Sequence, residues 1–177
     1  QLGEWHAAGI MLPHICVNVA KAQLMSGDFV QTVKRVLDKH GVEPASLELE
    51  LSERGVLSGE NDVIAQLHEL KGLGVRLSID DFGTGDSAIS YLRELPIDVL
   101  KIDRSYVAGL TDNDKDAALV SAMIAIGQRL KLEVVAEGVE HRDQLALLRD
   151  LECDAFQGFL VSQPVPAREF VSLVRKP

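Results

Sequence analysis

The sequence predicts an α/β protein built as a TIM-like (β/α)8 barrel, and three observations predict it. Six short apolar, β-branched runs alternate with longer segments of helical period, as parallel βαβ crossovers require. No stretch rich in Pro, Gly or Ser separates them, so residues 1–177 read as a single domain. Each run ends in polar residues: Asn18, Glu50, Asp80 with Asp81, Lys101 with Asp103, Glu137, and Gln157. A barrel gathers its strand ends into one ring around a central pocket, whereas a doubly wound sheet concentrates chemistry at one or two switch-point loops. Chemistry at every strand end favours the barrel. A complete barrel has eight strands and about 250 residues. With six strands in view, the expectation is a domain that is incomplete at its N-terminus, its first one or two strands missing.

Taken in order, residues 2–9 (LGEWHAAG) read as the last turns of a helix stopped by Gly9, with no start signal before them. His14 to Ala20 is a β-branched run, and Asp28 to His40 follows it with a helical period through Phe29, Val33, Val36 and Leu37. Ser46 to Glu53 alternates as a strand. The helix after it, Ser58 to Leu73, carries Val63, Ile64, Leu67, Leu70 and Leu73 on one stripe. Strands at Arg76–Asp81, Val99–Asp103, Glu133–Val139 and Ala155–Leu160 precede helices at about Ser87–Leu95, Asp114–Leu130, His141–Leu151 and Pro166–Val174.

With 46% hydrophobic residues the chain can bury one sizeable core. Its 27 acids against 18 bases, a formal net charge of −9, exclude general DNA, RNA or anionic-membrane binding but leave a nucleotide ligand open. No apolar run approaches the roughly 20 residues that span a bilayer, and no secretory signal pattern opens the chain. Cys16 and Cys153 are far apart in apolar surroundings and read as two buried thiols. These features together predict a cytoplasmic domain. None of the five histidines has metal-ligand spacing, which argues against a zinc hydrolase. Phe82, Phe156 and Phe159 lie near strand ends, where they pack in the core or stack on a base.

The most informative stretch is Arg76 to Tyr91, RLSIDDFGTGDSAISY, which reads as strand, acids, glycine loop and helix. Asp80 and Asp81 repel each other, and neighbouring strand residues point to opposite faces, so they share a site only where the backbone turns. A hard divalent cation, Mg²⁺, Mn²⁺ or Ca²⁺, would compensate such a pair. A solvated turn with an Asp capping the next helix is the ordinary alternative.

DDFGTG at 80–85, LKIDRSYV at 100–107 and AEGVE at 136–140 resemble the EAL domain family of cyclic di-GMP phosphodiesterases. VNVA at 17–20, LELELSE at 47–53 and QGFLVSQPVP at 157–166 extend the resemblance over nearly the whole chain. It implies an EAL-type barrel in which two Mg²⁺ or Mn²⁺ ions support hydrolysis of cyclic di-GMP to linear 5'-pGpG, a bacterial second-messenger reaction. It also implies roles. Asn18, Glu50 and Asp80 would hold the first metal, and Asp80 with Asp81 the second. Lys101 and Glu137 would be catalytic, and Asp103 and Gln157 would lie in the surrounding shell or against the substrate. Glu53 would support the loop after Asp81. The implied partners are cyclic di-GMP, a second copy in a homodimer, and an N-terminal regulatory or GGDEF domain in the parent chain, which upstream segments can anchor to a membrane. The chain departs from the family pattern in lacking the Glu-Ala-Leu motif, whose glutamate is a metal ligand. It also carries Asp86, His141 and Gln163 where tyrosine, threonine and a basic residue are usual. The missing glutamate leads to the expectation that the 177 residues alone are inactive. The alternative reading is an inactive EAL-type receptor for the dinucleotide or for a protein partner.

Overall fold

The computed structural model describes residues 1–57, 61–84 and 92–174. Helix α1 (Leu2–Ala7) leads into β1 (Ile15–Val19), a short α2 (Lys21–Leu24) and α3 (Phe29–His40). Val30, Val33 and Leu37 form the buried stripe of α3, and Gly41 ends it in the left-handed conformation at φ 59°. Next come β2 (Leu47–Ser52), α4 (Glu53–Leu57), α5 (Asn61–Leu73) and β3 (Arg76–Phe82). The chain continues through β4 (Val99–Ile102), α6 (Arg104–Ala108), α7 (Asp114–Leu130) and β5 (Glu133–Glu137). It closes with α8 (Arg142–Asp150), β6 (Ala155–Gln157) and α9 (Ala167–Val174).

The six strands form one parallel sheet in the order β1-β2-β3-β4-β5-β6, curled into a half-barrel. Sequential order without reversal is the winding of a barrel; a doubly wound sheet would reverse it. The outward side chains Leu77, Leu100, Ile102 and Val134 meet Leu67, Leu70, Val120 and Ile124 from the helices, and all are almost fully buried. Trp5 of α1 stacks on Phe170 of α9 with ring centroids 5.2 Å apart, joining the two terminal helices. Truncating a core side chain removes transfer energy and leaves a cavity. Leu100→Ala is therefore expected to lower unfolding stability by about 2–5 kcal/mol, measured by denaturant titration.

Several boundaries differ from the sequence reading. Strand β5 stops at Glu137 rather than Val139, because Gly138 takes φ 72° and the Val139 N–H donates to the Gln157 carbonyl. Strand β6 stops at Gln157 rather than Leu160, whose N–H donates to the Val139 carbonyl and draws the chain into a loop. Glu53 opens a helix instead of ending a strand, and Asp103 caps α6, its carboxylate accepting from the Ser105 N–H. Helices α2, α4 and α6 were not anticipated, since one or two turns carry too little period to read. Most of the helix expected at Ser87–Leu95, and the start of that at Ser58, lie outside the described residues, as does Asp86.

Candidate active site

Parallel pairing brings the strand ends to one rim. Asn18 pairs with Glu50, Ser52 with Asp80, and Glu137 with Gln157. Side chains two apart share a face, so Glu50, Asp80, Lys101 and Glu137 all turn toward the concave side. The register between β3 and β4 shifts between Ile79 and Phe82, and Asp81 sits at φ 56°. That bulge lets two adjacent acids serve one site, since it breaks the alternation that would send them to opposite faces. Aspartate is among the few side chains tolerated in the left-handed region.

Lys101, 3% exposed, occupies the middle of the cluster. Its Nζ donates to Glu50 Oε1 at 2.5 Å and to Glu137 Oε1, and lies 4.0 Å from Asp80 Oδ1. Burial works against the ammonium charge, but hydrogen bonds and charge from Glu137 and Glu50 outweigh it and hold the lysine protonated above its usual range. Burial also raises the Glu137 carboxyl above its ordinary value; Lys101 pulls it down, while Asp80 and Glu50 push it up. Asp81 is raised by burial, then by Asp80 and Asp103, against the pull of Lys101. At Asp103 burial opposes ionisation, but donation from the Ser105 hydroxyl and N–H, and from Asp81, brings the pKa below its ordinary value. One lysine among Glu50, Asp80, Asp81 and Glu137 leaves an excess of negative charge, and the raised acids express it. An all-oxygen, carboxylate-rich set that already encloses one cation fits a hard divalent ion.

The loop after Asp81 is held from two sides. Glu53, 1% exposed, accepts from the Gly83 N–H at 2.9 Å, and the Tyr106 hydroxyl donates to the Gly83 carbonyl at 2.5 Å. Gly83 has φ 100°, and a Cβ there would lie 2.9 Å from the Tyr106 ring, so both conformation and space require glycine. Gln144 braces the neighbouring loop. Buried at the start of α8, it accepts from the Glu140 and His141 N–H groups and donates to the Val107 carbonyl. Neither Tyr106 nor Gln144 was singled out from the sequence, where only the position of Gln144 in a helix's first turn signals a cap.

Glu50, Asp80, Lys101 and Glu137 therefore gather at one point, with Asp81 and Asp103 beside them. Asn18 and Gln157 take exposed places on the rim, across from Glu50 and Glu137. Phe82 is core, Phe156 packs against the core, and Phe159 is 56% exposed. The expectation of two buried thiols fails for Cys16, which is exposed on β1, a strand paired with β2 alone. Its sulfur still lies among enough protein atoms that desolvation, then Glu48 and Glu50, pushes the thiol up to about 12. His14, dismissed on sequence spacing, lies 3.5 Å from Glu48.

The EAL domain profile matches residues 1–164. The chain belongs to the EAL domain family. This EAL domain is 41% identical to the cyclic di-GMP phosphodiesterase NbdA of Pseudomonas aeruginosa, over 98% of the chain and 22% of that protein. It is 39% identical to the bifunctional diguanylate cyclase/cyclic di-GMP phosphodiesterase MucR of the same organism, over 98% of the chain and 25% of that protein. The chain thus spans about a fifth to a quarter of the length of these curated relatives. Among solved structures it superposes on the PaMucR phosphodiesterase in its c-di-GMP complex with TM-score 0.90 and 39% identity, covering 95% of this chain and 68% of that one. The EAL domain of Mycobacterium smegmatis DcpA gives TM-score 0.91 at 36% identity, with 99% and 81% covered.

A charge argument yields one prediction for the metal-free EAL domain. A carboxyl raised by folding favours the native state below its unfolded value, 3.8 for Asp81, and loses that contribution as pH rises through the folded value. At neutral pH Asp81 is therefore a cost, and an asparagine in its place would remove the charge, keep a donor for Asp103 and suit the left-handed backbone. Asp81→Asn is expected to raise Tm at pH 7 by about 1–3 °C, solvent screening at this exposed residue keeping the gain small. Calorimetry across pH should show the gain vanish near pH 3.8, where the native aspartate is itself protonated.

Proposed function

We propose that the protein carrying this domain hydrolyses cyclic di-GMP to 5'-pGpG with two divalent cations, Mg²⁺ or Mn²⁺, as cofactors. The observation that carries the reading is the gathering of Glu50, Asp80 and Glu137 around Lys101 at the strand ends, in a chain 41% identical to a cyclic di-GMP phosphodiesterase. Asn18, Glu50 and Asp80 would hold one cation, and Asp80 and Asp81 the other. Bound there, the ions would supply a water acidic enough to ionise near neutral pH and would offset charge on the phosphate oxygens.

The chain's own residues divide the remaining work. Glu137, its carboxyl raised toward the working pH, accepts the proton of the attacking water. The water oxygen bonds to phosphorus, one P–O3' bond breaks, and the departing 3' oxygen takes up a proton, leaving a 5'-phosphate at one end of the product. Lys101 stays protonated and puts its charge against the reacting phosphate. Asp103, which caps α6, stands beside Asp81, and Glu53 holds the loop that follows. Gln157 presents an amide from the rim to the substrate.

The test is direct. Purified protein carrying the domain is incubated with cyclic di-GMP and Mg²⁺ or Mn²⁺, and the products are resolved by chromatography and mass. Accumulation of pGpG supports the proposal. Tight binding with no cleavage in either metal would make the domain a receptor instead.

A further inference from the structure

Beneath the acid cluster, the same concave face carries a second group of donors of different chemistry. Cys16 and Glu48 lie opposite each other on β1 and β2, two residues before Asn18 and Glu50. That offset is about 6.6 Å along a strand. Cys16 Sγ is 3.6 Å from Glu48 Oε1, His14 Nε2 is 3.5 Å from Glu48 Oε2, and one donor atom from each of the three lies within 4.8 Å of the others. We propose that His14, Cys16 and Glu48 form a binding site for a thiophilic divalent cation of the Zn²⁺ class, separate from the acid cluster above it.

Three features support this. Zinc bonds of about 2.3 Å to sulfur and 2.0–2.1 Å to nitrogen or oxygen place tetrahedral ligands about 3.4–3.6 Å apart. Cys16 Sγ and His14 Nε2 each stand near that spacing from one Glu48 oxygen, Oε1 at 3.6 Å and Oε2 at 3.5 Å, and one donor atom from each residue lies within 4.8 Å of the others. The carboxylate is also oriented in advance. Glu48 is 2% exposed and accepts from Arg76 Nε at 3.1 Å, while Arg76 Nη2 donates to Glu133 at 2.5 Å. An outer partner of that kind fixes a metal ligand, and Glu133 offsets the guanidinium charge that would otherwise oppose a cation. Finally, thiol, imidazole and carboxylate are donor types that Zn²⁺ takes, and three of them leave a fourth position to water.

The next charges along this face are Glu50 and Lys101, and Lys101 is shared with Glu137 and Asp80, so the cluster above adds net negative charge that favours a cation. Coordination replaces the Cys16 S–H bond with a sulfur–metal bond and releases the proton to solvent, so the thiolate and Glu48 together balance the two charges of the ion. Thiolate and imidazole select a soft or borderline metal, whereas the oxygen set above selects a hard one, so softness separates the two sites.

The probe is Co²⁺, whose bond to thiolate gives a near-ultraviolet charge-transfer band. The protein carrying the domain, treated with chelator and held in excess Mg²⁺ to fill oxygen sites, is titrated with Co²⁺. One saturating equivalent with the band, displaced by Zn²⁺, is expected. The band should be absent in Cys16→Ser and unchanged in Cys153→Ser and Asp81→Asn. His14→Ala should weaken binding more than about tenfold, the lower end of what losing even an outer partner costs. Circular dichroism checks folding, and if Cys16→Ser does not fold, His14→Ala decides. No band in the unaltered chain, a band that survives Cys16→Ser, full affinity in His14→Ala, or loss of the band in Asp81→Asn would each overturn the proposal.

Discussion

Removal of divalent cations by excess chelator is expected to abolish cyclic di-GMP hydrolysis by the protein carrying this domain, with Mg²⁺ or Mn²⁺ restoring it and Ca²⁺ failing to. The reason lies in the charge of the cluster. Glu50, Asp80, Asp81 and Glu137 face one ammonium, and a phosphodiester brought to that rim adds more negative charge. Lys101 alone cannot offset it, so substrate binding as well as chemistry should depend on the added cations. Ca²⁺ takes six to eight oxygens at about 2.3–2.6 Å in flexible geometry, whereas Mg²⁺ demands near-octahedral coordination at about 2.0–2.1 Å. In-line attack needs the tighter arrangement to position water. Turnover assayed in each metal checks this, and comparable rates in Ca²⁺ or full activity in chelator would remove the metals from the reaction.

Glu137→Gln is expected to lower kcat by about 10²–10⁴ while changing the affinity for cyclic di-GMP far less, the range that a positioned proton acceptor contributes. Glutamine keeps the shape and can still accept from Lys101, and Lys101 retains Glu50 at 2.5 Å, so the cluster should not collapse. The amide cannot take a proton from water, and a loss confined to the transition state appears in kcat. Single-turnover rates beside equilibrium binding separate the two effects. Near-normal kcat would return Glu137 to the standing of a charged residue paired with a lysine.

Much of the fold was legible because its signals are local. The period through Val33 and Leu37 marks α3, although Val36 of that reading is 49% exposed and Val30 is buried instead, and α7 runs Asp114–Leu130 as its period predicts. Glu50 shows the limit. The sequence places it at a strand end, but that Glu50 is 7% exposed and bonded to Lys101, 51 residues away, is set by strand register alone. Likewise the Tyr106 hydroxyl reaches Gly83 across 23 residues, and no periodicity encodes that contact.

By itself the sequence determined the alternation of strands and helices, the polar residue at each strand end and the family those residues resemble, because propensity, period and motif are properties of neighbouring positions. Only the tertiary structure decided the rest. It shifted the register of β3 at Asp80 and Asp81, closed Glu50 and Glu137 around Lys101, and set His14 and Cys16 beside Glu48. Each of these depends on register between strands far apart in the chain, and register is settled when all the strands bury their outward side chains against one layer of helices.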